Sequence, residues 1–391
     1  MATESTNIPI LDLSWANDPV RKPELLQQLH SALFEVGFLY VVNHGVEQQT
    51  IDHLTNLLPS LFALPAEEKA SLSKLNSPHF LGYSGFAEET TLGKKDLREQ
   101  FDYATELPVV YEESRNGLST DGANGHSNSE SIRDFSKLYW RLRGPNQWPQ
   151  ETSLPGFRTA LTKYHDSLQE LSYRFVHLIE EAFSIPIGTF DHFFGRSNST
   201  NANITKRSFL PPQHRIKLLR YPPAPQDSEA QGVGAHKDSS GWLTFLYQVS
   251  SLPGLEVLSP QTSTWLPIAP IPGSFVVNFG NAFEAATEGA VRATIHRVIS
   301  PGPESDVRYS IPFFQGLPLD MSVSEVREYI PEEVRSLRRK QGRANDETQS
   351  FLDPRWDSLG ESQLRKWIRS HKDVALKWYG QETVDWYTAS D

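Results

Sequence analysis

The residues with the clearest chemistry lie between Arg215 and Gly316. His236-Lys237-Asp238 comes first, His296 follows inside ATIHRVIS, and Arg308-Tyr309-Ser310 opens RYSIPFF. Each sits in an apolar, β-branched run that reads as a strand. On a strand, positions i and i+2 share a face, so His236 and Asp238 project together while Lys237 points away. His296 lies 296 − 238 = 58 residues on, grouped by alternation with Thr294 and Val298. Two imidazoles and one carboxylate on one face of an ion leave its other positions open, the arrangement of oxygen-activating non-haem Fe(II). Arg308 and Ser310 again share a parity, 308 − 296 = 12 residues further. A guanidinium fork beside a hydroxyl suits a carboxylate held at two points, and the distal end of 2-oxoglutarate is the natural candidate.

Taken singly, His236 reads as a turn histidine and Asp238 as a helix cap; the ordered set HxD, H, RxS points to metal. The chain carries its own control, because His371-Lys372-Asp373 repeats the tripeptide. There the apolar positions Leu364, Trp367, Ile368, Val374, Ala375 and Trp378 have helical spacing, and on a helix i and i+2 diverge. The second copy is therefore expected to be structural.

The stretches IPILDLS (Ile8 to Ser14), GFLYVVNHGV (Gly37 to Val46), FALPAEEK (Phe62 to Lys69), GYSGF (Gly82 to Phe86) and LRYPPAPQ (Leu219 to Gln226) precede AHKD, PGSFVVNFGN, ATIHRV and RYSIPFF. In this order, over nearly the whole chain, the sequence resembles the isopenicillin N synthase-like group of Fe(II)/2-oxoglutarate-dependent oxygenases. The resemblance implies a mostly β core with helices, a double-stranded β-helix (jelly roll) with an N-terminal helical and strand region and a C-terminal helix. It implies iron on His236, Asp238 and His296, and 2-oxoglutarate on Arg308, Ser310 and Tyr221, with no catalytic residue beyond the metal centre. It further implies O2 as co-substrate and the hydroxylation, desaturation or cyclisation of a small organic molecule, a secondary metabolite or ring compound, with release of succinate and CO2. One departure is Leu219, where many plant relatives carry Asn, so a co-substrate contact is expected to be missing or replaced. Two alternatives stay open: an iron oxidase that uses no 2-oxoglutarate and holds a substrate carboxylate on the same arginine and serine, and a non-catalytic small-molecule binder on the same barrel.

Composition narrows the class. The chain has 391 residues and a net charge of −11, which argues against nucleic-acid or anionic-membrane partners. It has no cysteine, so the ligands must be His, Asp and Glu. The N-terminal segment MATESTNIPILDLS has no signal-peptide pattern, and no window has the length of a membrane span, so a cytoplasmic location is expected and no oligomeric state is assigned. Asn198 and Asn203 match the glycosylation pattern by chance.

The surrounding elements follow from periodicity. An edge strand is expected at Ile8 to Leu13, a helix over Pro23 to Val36 stopped by Gly37, a buried strand at FLYVV, and a second helix from Gln48 to Phe62. His44 reads as a structural turn histidine. The segment holding Tyr83, Phe86, Arg98, Phe101 and Tyr103 borders the expected substrate pocket, with Tyr83, Phe101 and Tyr103 as lining candidates and Arg98 as a solvated charge. Phe314 shares the parity of Arg308 and Ser310 and joins them, with Phe209 and Trp242 as further candidates. Polar loops are expected from Glu113 to Ser131 and from Ser197 to Asn203. A long amphipathic helix from Phe157 to Ala182 backs the barrel, with His165 and His177 facing solvent. Short strands from Ile216 to Phe314 suit a jelly roll, and a helix near Glu361 to Tyr379 covers its outside or closes a mouth. The regions are 1–125 (N-terminal), 126–209 (connector and backing helix), 210–318 (jelly-roll core) and 319–391 (C-terminal extension).

Overall fold

The computed structural model describes residues 8–91, 93–113, 133–196, 208–225, 231–238, 241–337 and 357–389. The expected polar loops, beyond Glu113 and from Ser197 to Asn203, lie outside these residues with both acceptor-pattern asparagines.

The strands in chain order are β1 (Ile10–Asp12), β2 (Phe38–Val42), β3 (Gly82–Ser84), β4 (Thr90–Thr91), β5 (Lys94–Lys95), β6 (Glu99–Ala104) and β7 (Arg215–Tyr221). They continue with β8 (Gln231–His236), β9 (Leu243–Gln248), β10 (Leu255–Leu258), β11 (Trp265–Pro267), β12 (Phe275–Phe279), β13 (His296–Ile299) and β14 (Arg308–Gln315). An eight-stranded sheet runs β1-β2-β12-β9-β14-β7-β6-β3, and a four-stranded sheet runs β11-β10-β13-β8. From β7 onward the chain crosses between the two sheets at every connection except the β10-β11 hairpin. That winding is the double-stranded β-helix, and β1, β2, β3 and β6 widen its larger sheet.

The larger sheet separates two environments because its side chains alternate. On β7, Ile216 and Leu218 join the hydrophobic core on the outer face, while Arg215, Lys217, Leu219 and Tyr221 face the inner cavity. On β14, Ile311 and Phe313 go outward and Arg308, Ser310, Pro312 and Phe314 inward. The outer face is covered by helices α1 (Lys22–Ser31), α2 (Gln48–Phe62) and α4 (Phe157–Ala182), with the short α3 (Ala66–Ser71) following α2. The apolar stripe of α4 lies on the sheet, where Phe175 meets Phe245 edge to face at 5.6 Å. His165 departs from expectation: it is buried against Phe313, because the stripe of α4 is wide enough to include it. His177 bonds Asp191 at 2.7 Å at a half-buried position.

Gly37 ends the first helical tract at φ +76°, and a Cβ there would stand 2.3 Å from Thr294 Oγ1. Glycine alone fits both the left-handed turn and that approach. At the other end of the chain, helices Leu359–Ser370, Lys372–Tyr379 and Gln381–Thr388 pack with Phe80, Trp140 and Leu142 over one mouth of the barrel. The expected continuous helix is broken at His371 (φ −137°, ψ 67°), which ends one helix and starts the next while its side chain is buried. Among the described residues no helix is long and apolar enough to cross a membrane.

Candidate metal centre

β13 pairs with β8 so that His296 lies directly opposite His236, with ring centroids 4.3 Å apart. Asp238 sits two residues past the end of β8. Its carbonyl accepts a hydrogen bond from the Asn281 backbone at 2.8 Å, which ties it to the start of the Asn281–Ala286 helix. Asp238 Oδ1 is 3.8 Å from His236 Nε2 and 3.7 Å from His296 Nε2. One ligand atom from each residue lies within 4.8 Å of the other two, and no other such group of His, Asp or Glu occurs among the described residues.

The polar atoms behind the triad point these ligand atoms inward. The Nδ1 atoms of His236 and His296 face the carbonyls of Gly234 (2.8 Å) and Thr294 (3.1 Å). A carbonyl accepts only, so Nδ1 carries the proton and the Nε2 lone pair is free for an ion. Asp238 Oδ2 accepts from Thr244 Oγ1 and Asn278 Nδ2, both at 2.7 Å, leaving Oδ1 open. Burial lowers His236 to about 3, with His296 adding to the effect. Burial alone would raise Asp238, but His296, His236 and the two hydrogen bonds outweigh it and hold the carboxyl at about 2. Two neutral imidazoles and a carboxylate are the donor set a divalent iron takes, and the residues present fit it.

Beside the triad, Arg308 is 1 % exposed. Its Nη2 donates to Gln248 Oε1 at 3.0 Å, while Nε and Nη1 are buried with no protein partner. Unsatisfied donors on a buried cation are costly and mark a place for an anion. Tyr221 pairs with Arg308 across the strands, its ring 5.2 Å from the guanidinium carbon. Ser310 is buried on the same wall, and its cross-strand neighbour is Leu219, whose apolar side chain stands in the cavity in place of an amide. These residues fit a keto diacid, one carboxylate of which Arg308 would hold.

The cavity that joins these groups measures about 270 Å³. Of the six aromatic candidates, Phe314 lines it and the other five do not. Phe101 and Tyr103 occupy the β6 face turned towards the helices, against Phe62 and Phe157, so the expected parity is reversed. Tyr83 packs on Phe101 and donates to Glu99 Oε2 at 2.7 Å. Trp242 stacks on Phe283 at 4.1 Å, and Phe209 packs on the main core. Phe86 is exposed and His44 is a buried structural group bonded to the Gly273 carbonyl.

What the cavity has instead is charge. Arg98, read as a solvated residue, lines it and pairs with Glu89 at 2.8 Å and Asp96 at 3.5 Å. Lys217 lines it and pairs with Asp102 at 2.9 Å, and burial brings its ammonium down to about 8. Lys74 bridges Glu89 (2.9 Å) and Asp102 (2.7 Å). Arg215 and Lys217 share the parity of Tyr221, a signal that was present in the strand alternation. Lys366, Trp367 and His371 reach the cavity from the C-terminal helices, whose local pattern reads as a structural helix and does not mark them as cavity wall.

Comparison with known proteins adds a separate line of evidence. Residues 212–316 match the model of the 2OG-Fe(II) oxygenase superfamily, and residues 8–151 match the N-terminal region of non-haem dioxygenases described for morphine synthesis. A 2-oxoglutarate-dependent dioxygenase of Dothideomycetidae sp. (strain 11243) is 36% identical over 95% of this chain and 92% of its own length. Another from Gibberella zeae is 30% identical over 97% and 93%. Among solved structures, a Caulobacter crescentus protein assigned to the 2OG-Fe(II) oxygenase family shares the fold, with a TM-score of 0.64 at 24% identity over 92% of this chain and 98% of that one.

Proposed function

The chain belongs to the 2OG-Fe(II) oxygenase superfamily, and from that premise we propose that His236, Asp238 and His296 hold its iron while Arg308, Ser310 and Tyr221 hold 2-oxoglutarate. The protein is an Fe(II)/2-oxoglutarate-dependent dioxygenase. The similarity to relatives named 2-oxoglutarate-dependent dioxygenases favours this reading over an oxidase without 2-oxoglutarate and over a non-catalytic binder. The observation that carries the assignment is a triad of converging ligand atoms beside a buried guanidinium with two unpartnered nitrogens.

Iron with 2-oxoglutarate supplies the oxidising power, consuming O2 and the keto acid and releasing succinate and CO2. The chain's own residues do the positioning. Thr244 and Asn278 hold one oxygen of Asp238 so that the other stays aimed inward, and two backbone carbonyls keep both imidazoles in the ligating tautomer. Arg308 fixes the far carboxylate and so sets the direction from which the keto acid approaches the triad. Phe38, Leu219, Val233, Leu246, Val298 and Phe314 line the remaining space and exclude water from the reacting carbon. The substrate is a small organic molecule, as the cavity's size requires, and a secondary metabolite or ring compound suits walls of this kind. Hydroxylation is the expected outcome.

Anaerobic titration of the Fe(II) protein with 2-oxoglutarate, followed by a substrate screen scored by succinate, tests this. Saturable binding and substrate-stimulated succinate are expected. No succinate above a no-enzyme control with any substrate, together with no binding of the keto acid, would refute the assignment.

A further inference from the structure

The lining of the cavity beyond the triad and Arg308 contains more positive than negative charge. Among the described residues, Glu89, Asp96 and Asp102 are all taken up by Lys74, Arg98 and Lys217. Arg215 and Lys366 face the same space with no carboxylate partner among the described residues. Arg215 gives three of its five donors to the carbonyls of His79, Phe80 and Leu142 and lies 4.4 Å over the Trp367 ring, so it is held mainly by the surrounding backbone. Lys366 is different. It comes from the helix Leu359–Ser370 that closes the mouth, lines the cavity from there, and carries its ammonium 5.8 Å from the Trp367 ring at a solvent-exposed position. Iron and 2-oxoglutarate carry opposite charges of equal size, so their arrival leaves this excess in place.

Resting on the oxygenase reading above, we propose that the substrate is a carboxylate-bearing small molecule whose acid group docks on Lys366, with its oxidised carbon held towards the triad. One free ammonium with three donors suits a monoanion such as a carboxylate. The remaining walls beside Phe314, Leu219 and Trp367 are apolar and fit the rest of such a molecule. Lys366 lies outside both segments that match the family models, 8–151 and 212–316, so the residue that selects the substrate is carried by the part of the chain those models do not cover.

The test is affinity selection on the full chain loaded with Mn(II) and saturating 2-oxoglutarate, so that the Arg308 site is filled and no turnover occurs. The library is a set of small carboxylic acids, each with its own methyl ester as control. Acids should be retained about tenfold over esters, the ratio one charge-assisted hydrogen bond gives. Lys366→Gln should erase that preference and Lys366→Arg should keep it, with 2-oxoglutarate affinity unchanged in both. In the wild-type protein, added salt should weaken acids and leave esters alone, a readout that needs no variant. Equal retention of acids and esters, a preference that survives Lys366→Gln, or a salt-independent preference would each overturn the proposal. A Lys366→Gln protein that loses 2-oxoglutarate instead would overturn it too, by assigning the lysine to the co-substrate. Failure of the wild type to bind 2-oxoglutarate refutes the oxygenase reading itself, and is seen separately from the acid-to-ester ratio.

Discussion

The tripeptide His-Lys-Asp occurs twice in this chain, and both histidines border the same cavity. At His236 the tripeptide runs off the end of a strand, so its imidazole and carboxylate turn to one side, and His296 stands opposite. At His371 it spans the junction of two helices. His371 turns inward to Glu89 Oε1 at 2.7 Å, while the Asp373 carboxylate folds back onto the Val374 backbone at 2.9 Å. In the first copy, backbone carbonyls meet Nδ1 and leave Nε2 open. In the second, Nε2 is taken by Glu89 and Lys74, and Nδ1 meets Ser370 Oγ. Whether a histidine is available to an ion is thus decided by the hydrogen bonds its two nitrogens already make.

The contrast can be broken most directly at the aspartates. Asp238→Ala should abolish metal binding and lower turnover by a factor on the order of 1,000 or more, about 4 kcal/mol in barrier. Asp373→Ala should leave bound metal unchanged when both proteins are titrated with Fe(II) under argon. Equal metal loss in the two would end the distinction. Asn278→Ala frees one oxygen of Asp238 and should weaken metal about 10–100-fold, as loss of an orienting partner does; calorimetry with Mn(II) measures it.

His371→Gln should leave metal affinity intact and cost about 1–2 kcal/mol in urea unfolding, because Glu89 keeps Lys74 and Arg98 as partners. The smallest effect is in pH. Burial, with the Lys74 charge adding to it, holds His371 below its ordinary value of 6.5. The unfolded chain therefore takes up a proton near 6.5 that the folded chain takes up only at lower pH. Stability from this site is complete above 6.5 and is lost as pH falls through the folded value. The wild-type protein should lose more stability between pH 7.5 and pH 5.5 than His371→Gln does, and equal losses would show that His371 is charged in the fold.

The shared side of His236 and Asp238, the inward parity of Arg308, Ser310 and Phe314 and the span of α4 were legible without coordinates, because alternation on strands and the helical repeat are local properties that each short run carries within itself. The same rule says that the two faces of a strand differ, without saying which neighbour each face meets. β6 shows the consequence: all of EQFDYA is buried, and the aromatics Phe101 and Tyr103 went to the helices while Asp102 turned towards the cavity lysines. Burial of charged groups on that side depends on partners that come from Lys74, Glu89 and Lys217, far apart in the chain. In the same way the second His-Lys-Asp reads as part of a helix in any local window, and only docking of the C-terminal helices over the barrel mouth breaks it at His371 and brings Lys366 and Trp367 to the cavity. The residue types and strand faces of the centre were thus set by short-range pattern, and the pairing of β13 with β8 brought His296 to His236. The shape and charge of the space around it came from long-range packing.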